Sequence, residues 1–208
     1  MAVSNTAETV HENKGDYTGS KMGMWLFLFT EVLFFGGMFL LYAVYRSEYL
    51  EEFHRAASGL SKTIGGINTI ILITSSLTMA LSITAIKKAD KKLSLLFQTG
   101  TILLGLSFIV VKYVEWSAKI NSGIFPGSPE LLGHEQGEII FYSLYFVMTG
   151  LHGLHIIIGV VVLIVILAMS TKGSINENNF IKLENSGLYW HFVDIVWIYL
   201  FPLLYLIT

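Results

Sequence analysis

Long apolar runs alternate with short polar segments along the chain from about residue 20 onward. Each run has about twenty residues or more, the length that an α-helix needs to cross about 30 Å of hydrocarbon. The pattern therefore predicts an all-α, polytopic membrane protein, a bundle of five transmembrane helices. The predicted spans are residues 22–45, 64–86, 93–114, 139–169 and 187–207, and the fourth is long enough to tilt or to project.

The polar segments divide the chain simply. Residues 1–20 are expected to be a polar N-terminal tail, and residues 21–208 one membrane domain. The tail has neither the basic and apolar regions of a signal peptide nor the Arg-rich composition of a transit peptide. A soluble all-α fold is the alternative, and five apolar runs in 208 residues disfavour it.

Basic residues predict the orientation of the helices. The second loop, "IKKADKK" at 86–92, contains four lysines, whereas the loop at 115–138 contains Glu130, Glu135 and Glu138 against Lys119 alone. Lysine-rich short loops stay on the cytoplasmic side of a membrane. We therefore expect the N-terminus inside and the C-terminus outside.

Composition agrees with a membrane protein and excludes several other classes. The chain is 53% hydrophobic and 13% charged, whereas a soluble domain is about 25% charged. A net charge of −2 gives no basic surface for nucleic acid. The absence of cysteine excludes disulfides, iron–sulfur clusters and Cys-based zinc sites.

Ionisable residues within the predicted spans are the candidate functional residues, because such groups are costly in hydrocarbon unless they are paired. His152 and His155, like His191 and Asp194, are three residues apart and so share a helix face. Hydrogen bonding between helices is the ordinary role for such groups. The candidates for structural or proton-related roles are Glu31, Glu115, His152, His155, His191 and Asp194.

Hydroxyl and amide groups form a stripe on the second span. Asn68, Ser75 and Ser82 are seven residues apart, and Thr78 lies on the same side. Such stripes join membrane helices by hydrogen bonds.

A metal site is the competing interpretation of the histidines and acids. Di-iron centres in helix bundles use Glu-x-x-His pairs, whereas this chain has His-x-x-His and His-x-x-Asp pairs. Nothing in the sequence indicates a haem cavity or a nucleophile. We expect no catalytic residue, no cofactor-binding residue and no metal ligand in this chain.

Five stretches together resemble one family, subunit III of the haem–copper terminal oxidases, in a short five-helix form. They are "KMGMWLFLFTEVLFFGGMFLLYAVY", "INTIILITSSLT", "KYVEW", "FYSLYFVMTGLHGLHIIIG" and "GLYWHFVDIVWIYLFPLLY". The last two are the most specific. In "KYVEW" this sequence has Trp116 where the family has Tyr. The longer members have seven helices, and this chain lacks the first two. The lipid cleft between those two helices and the remainder is therefore not expected within this chain.

The resemblance implies a non-catalytic subunit of a complex that reduces oxygen to water and pumps protons in aerobic respiration. It implies that haem and copper are held in partner subunits only. This chain is then expected to pack on catalytic subunit I and to support the stability and proton uptake of that subunit. Contacts with subunit II, small subunits and phospholipids are also expected. A bacterial cytoplasmic membrane is the expected location.

The carbodiimide-reactive glutamate of the family corresponds to Glu31, by its place in Trp-x5-Glu-x3-Phe. His152 and His155 are then expected to bridge helices as neutral imidazoles, with Glu31, Glu115 or Asp194 as possible partners.

Two alternatives remain open at this point. One is a stand-alone proton or solute transporter that uses the intramembrane acids and histidines as a relay. The other is an accessory membrane subunit of a nitric oxide reductase. The sequence also leaves the electron donor, cytochrome c or quinol, undetermined.

Overall fold

Five long helices form the protein, as the hydrophobic pattern predicts. The computed structural model describes the backbone of residues 2–207 and the side chains of residues 17–207. Each of the five helices covers most of one predicted span and is long and apolar enough to cross a membrane. They are α1 (Ala2–Glu48), α3 (Lys62–Lys87), α4 (Lys91–Asn121), α6 (Gln136–Thr171) and α7 (Ile181–Tyr205). The predicted all-α membrane bundle is therefore confirmed.

Two short helices lie in segments that the sequence predicts as polar loops. They are α2 (Leu50–Ser58) and α5 (Pro129–Leu132). α2 buries Phe53, Ala56 and Ala57. This apolar stripe is short, and charged residues surround it in the sequence. The Tyr142 hydroxyl of α6 donates to the Ala56 carbonyl oxygen at 3.2 Å, which fastens α2 to the bundle.

Four of the long helices form a closed ring. A tight turn joins α3 to α4, and the Asp90 side chain caps α4 by accepting from the Leu93 amide at 3.0 Å. α4 then packs on α6, α6 on α7, and α7 back on α3. Within the described residues, α1 lies outside this ring against α6 and α7 and makes no contact with α3 or α4. α7 is therefore flanked by α1 on one side and α3 on the other.

The centre of the ring is filled by Trp190 of α7. Its indole is fully buried and lies between Gly105 of α4 and Gly159 of α6. A Cβ atom added at Gly105 would lie 2.6 Å from Trp190 Cη2, and one at Gly159 would lie 2.9 Å from Cε3. Glycine is therefore required at both positions for α4, α6 and α7 to pack this closely.

Candidate functional site

The first candidate pair joins α1 to α6. Glu31 Oε2 lies 3.1 Å from His155 Nε2, and both side chains are more than four-fifths buried. His155 Nδ1 lies 2.7 Å from the Leu151 carbonyl oxygen, which can only accept, so Nδ1 carries a hydrogen and donates it. The contact with Glu31 then needs one further proton, either on the carboxyl group or on Nε2. In both arrangements the Glu31–His155 pair shares a single proton.

Neighbouring groups hold this pair in place. The Phe35 ring stands edge-on to the His155 imidazole, with centroids 5.2 Å apart. The Tyr189 hydroxyl of α7 donates to the His155 carbonyl oxygen at 3.0 Å. By helical rise, Glu31 lies about 15 Å beyond Lys21, close to the middle of a bilayer. The pair is therefore held in one arrangement by contacts from α1, α6 and α7.

His152 has different surroundings from His155. Its imidazole is fully buried, and its centroid lies 5.5 Å from that of Phe108 and 5.3 Å from that of Trp197. Neither ring nitrogen has a hydrogen-bond partner among the described residues. The two histidines that the sequence places on one helix face thus divide into one bonded to an acid and one packed among aromatic rings.

A buried ion pair lies at the end of the third span, and only one of its members, Glu115, is among the residues predicted from the sequence. Lys112 Nζ donates to Glu115 Oε2 at 2.9 Å, and both side chains are at least nine-tenths buried. Nζ also donates to the hydroxyls of Tyr205 at 2.9 Å and Tyr145 at 3.3 Å, so all three of its hydrogens are used. Tyr205 in turn donates to Glu115 Oε1 at 2.7 Å. This Lys112–Glu115 cluster links α4, α6 and α7.

A signal for the cluster was present in the sequence. Lys112 precedes Glu115 by three residues in "KYVEW", the spacing of an ion pair on one helix face. Glu115 follows the last residue of the span predicted at 93–114, and a buried carboxylate there needs a cation such as Lys112. The tyrosines could not be found this way, because they come from two other helices.

His191 and Asp194 lie on α7 beside α3. His191 Nδ1 is 2.6 Å from the Ser76 hydroxyl oxygen. Asp194 is only 3% exposed, and neither of its carboxyl oxygens has a hydrogen-bond partner within the described chain. The Ser76 hydroxyl borders both side chains. The pair opens into a groove between α3 and α7 of about 430 Å³.

The polar stripe on α3 joins helices at three of its four positions. Ser75 accepts from Trp190 Nε1 at 3.0 Å, Thr78 lies 2.8 Å from Thr101, and Ser82 lies 3.2 Å from Ser94, measured between hydroxyl oxygens in the last two pairs. Asn68 is fully buried, and its side-chain nitrogen and oxygen have no partner among the described residues.

Ion pairs close the two ends of the bundle. At the end predicted to be inside, Glu184 of α7 accepts from Lys87 at 2.5 Å and from Lys21 at 2.9 Å. At the opposite end Arg55 lies 3.2 Å from Glu135 and 3.4 Å from Glu138. The hydrogen bond to Glu135 raises the pKa of the Arg55 guanidinium above its usual value.

The candidate residues do not converge on one centre. Glu31 and His155 meet between α1 and α6, Lys112 and Glu115 lie within the ring, and Asp194 lies at its α3 side. Among the side chains of residues 17–207, no three His, Asp or Glu residues are grouped as metal ligands. The arrangement can hold protons and cross-link helices.

Comparisons with known proteins agree with this architecture. The family described as "Cytochrome c oxidase subunit III" matches residues 2–208. A probable quinol oxidase subunit 3 of Staphylococcus saprophyticus is 30% identical over 99% of this chain and 97% of its own length. A cytochrome c oxidase subunit 3 of Thermostichus vulcanus is 31% identical over 90% of this chain and 87% of its own length.

A third relative differs in its organisation. It is the haem–copper oxidase subunit I+III of Aeropyrum pernix, which is 31% identical over 90% of this chain but only 22% of its own length. The names of these relatives do not favour a transporter or a nitric oxide reductase subunit. The match along the five-helix bundle leads to one conclusion: the chain belongs to the cytochrome c oxidase subunit III family, the non-catalytic membrane subunits of haem–copper oxidases.

Proposed function

We propose that this chain packs on catalytic subunit I of a haem–copper terminal oxidase and supports the stability and proton uptake of that subunit. In the complex, oxygen is reduced to water and protons are pumped across the membrane. Haem and copper are held by the partner subunits. The relatives are named for quinol and for cytochrome c, so both electron donors are compatible with this proposal.

One observation carries the association with subunit I. In the Aeropyrum pernix relative, the segment similar to this chain is about a fifth of a longer polypeptide named subunit I+III. Covalent fusion keeps two segments together at high effective concentration, which suits segments that pack on each other. We infer the same association, between separate polypeptides, for this chain.

The Glu31–His155 pair supports the role in proton uptake. The pair holds one proton near mid-membrane depth, and it lies between α1 and α6 at the edge of the bundle, not within the ring. Intramembrane acids and histidines paired in this way are the usual parts of proton relays. The other candidate residues, Glu115, His152, His191 and Asp194, are assigned structural roles in holding helices together or meeting partners.

The remaining associations follow the same proposal. Subunit II and small subunits are expected in the complex, and phospholipids are expected against the outward apolar faces. Only 11% of the most apolar stretch of α1 is buried in the chain, so most of this helix faces lipid or a neighbouring subunit. A bacterial cytoplasmic membrane is the proposed location.

Purification from native membranes tests the proposal directly. An affinity-tagged chain, extracted in mild detergent, is expected to bring a haem-bearing subunit with it, visible in the reduced-minus-oxidised optical spectrum and in the native mass. A tagged, unrelated five-helix membrane protein from the same cells is the control. A haem-free preparation of the chain alone would support a transporter, and a partner that reduces nitric oxide but not oxygen would support the reductase alternative.

A further inference from the structure

A concave groove runs along the outer surface of the bundle where α7 is exposed between α1 and α3. α1 and α3 do not meet among the described residues, so α7 is recessed between them. The floor of the groove beside α3 contains the polar groups of Ser76, His191 and Asp194. A neighbouring groove between α1 and α7 shares Ile195 with it, and the exposed surface of both grooves is almost wholly apolar.

The rim of the polar groove is apolar and open. Its residues Ile73, Leu77, Ile195 and Ile198 are each between 46% and 59% exposed. Ala80 also lines the groove, and a small residue at such a position lets another helix approach closely. An apolar rim around a few polar groups is the arrangement expected where a second membrane helix packs.

Asp194 is the unsatisfied group in this surface. Its carboxyl oxygens are buried and lack hydrogen-bond partners in the described chain, and the hydroxyl oxygen of Ser76, which borders it, lies 2.6 Å from His191 Nδ1. By helical rise, Asp194 lies about 15 Å beyond Glu184, close to the middle of the bilayer. A polar group buried in hydrocarbon without a partner is costly, and a lipid acyl chain has no donor to offer.

We propose that this groove is the docking site for a transmembrane helix of the catalytic oxidase subunit, and that this helix presents a hydrogen-bond donor to Asp194 at mid-membrane depth. The inference rests on the proposed function, since it names the catalytic subunit as the occupant. The donor is a hydroxyl, amide, indole N–H or guanidinium group, the kinds of donor that a carboxyl oxygen accepts from. Because both oxygens of Asp194 are covered in the chain alone, its side chain turns toward the groove when the helix docks. His191 and Ser76 form the adjoining polar contact, and the four rim residues pack around it.

Photo-crosslinking in the intact complex tests the location of the docking site. Benzoylphenylalanine placed at Ile198 lies in the groove, and the same residue at Val161, which is 55% exposed on α6, is the matched control. We expect covalent products with the haem-bearing subunit from Ile198 at about ten times the yield from Val161. Equal yields, or products with lipid alone at Ile198, would overturn the proposal.

The two proposals fail in distinguishable ways. If the unsubstituted chain purifies with a haem-bearing subunit but Ile198 does not crosslink to it, the docking site is wrong and the proposed function stands. If no haem-bearing subunit purifies with the chain, both are wrong.

Substitution of Asp194 tests the hydrogen bond itself. Asp194→Leu is expected to lower the amount of haem-bearing subunit retained per chain about tenfold, which corresponds to about 1.4 kcal/mol. Asp194→Asn keeps an acceptor oxygen and is expected to retain the partner within about threefold of the unsubstituted chain. Equal retention in both variants, at equal chain abundance in the membrane, would contradict the role of Asp194. The crosslinking result does not depend on these variants, so a poorly folding Asp194→Leu chain leaves the proposal testable.

Discussion

The imidazole of His155 lies 3.1 Å from the carboxyl group of Glu31 and is the polar link between α6 and the outlying helix α1. Because His155 Nδ1 donates to the Leu151 carbonyl oxygen, Nε2 faces Glu31 with one proton to share. One of the two proton positions leaves Glu31 as a neutral carboxyl group. This state gives the glutamate a chemistry that an ordinary surface carboxylate lacks.

Dicyclohexylcarbodiimide is expected to label Glu31, because the reagent partitions into the bilayer and reacts with protonated carboxyl groups. The adduct is measured by mass spectrometry of peptides from treated membranes. Glu31→Gln is expected to remove it.

Glu115 provides the internal control for this labelling. It is also buried, directly after the third predicted span, but its two oxygens accept from Lys112 and Tyr205. We expect Glu115 to remain unlabelled. Labelling that persists unchanged in Glu31→Gln would show that another carboxyl group reacts.

Removal of Lys112 is expected to destabilise the bundle strongly. Lys112→Met leaves Glu115 buried without its cation, a change that typically costs about 3–5 kcal/mol. The double variant Lys112→Met/Glu115→Gln removes the uncompensated charge and is expected to recover most of the loss. Unfolding in mixed detergent micelles, followed by Trp fluorescence, measures both. Equal stability of the two variants would mean that the charge pair is not what holds α4, α6 and α7 together at this point.

Two glycines of α4 offer a matched test of packing around Trp190. A Cβ atom at Gly105 would clash with the indole, whereas at Gly100 nothing described lies within 4 Å. Gly105→Ala is expected to cost about 1–3 kcal/mol through overpacking. Gly100→Ala should be neutral or stabilising by up to about 1 kcal/mol, because alanine favours helix. The same unfolding measurement compares them, and a Gly105→Ala chain as stable as Gly100→Ala would contradict the observed packing.

The predicted orientation is open to a simple test, because the chain contains no cysteine. Single cysteines replace Ser122, in the loop predicted outside, and Asn178, in the loop predicted inside. A membrane-impermeant maleimide added to intact cells or right-side-out vesicles is expected to label Ser122→Cys and not Asn178→Cys. Permeabilised membranes, in which both should react, control for accessibility. The reverse labelling pattern would invert the orientation.

Hydrophobic spacing along the chain was enough to predict the helices. Runs of about twenty apolar residues have one stable solution in a bilayer, since every backbone polar group must be paired within its own segment. Five spans followed directly, and their boundaries differ from the helices mainly at the ends: α1 begins at Ala2, α4 ends at Asn121 and α7 begins at Ile181, all in polar sequence. The short helix α2 was missed although its buried residues Phe53, Ala56 and Ala57 follow helical spacing, because this apolar stripe is short and lies among charged residues.

The hydrogen-bond partners of the polar side chains could not be predicted from the sequence. Spacing of three residues placed His152 and His155 on one face, but only the docking of α1 against α6 pairs His155 with Glu31 and leaves His152 between Phe108 and Trp197. Lys112 was visible in the sequence beside Glu115, yet Tyr145 and Tyr205 reach it from two other helices.

The sequence by itself determined that this protein is a five-helix membrane bundle with acids and imidazoles inside it, because hydrocarbon imposes a length on apolar runs and a cost on charge. The tertiary structure decided which of those groups meet. Helix packing brings together residues that are distant in sequence, such as Glu31 with His155, and buries Asp194 beside a groove without a hydrogen-bond partner in the described chain. Those contacts depend on which helix faces which neighbour, and the periodicity of apolar residues along the sequence does not specify that.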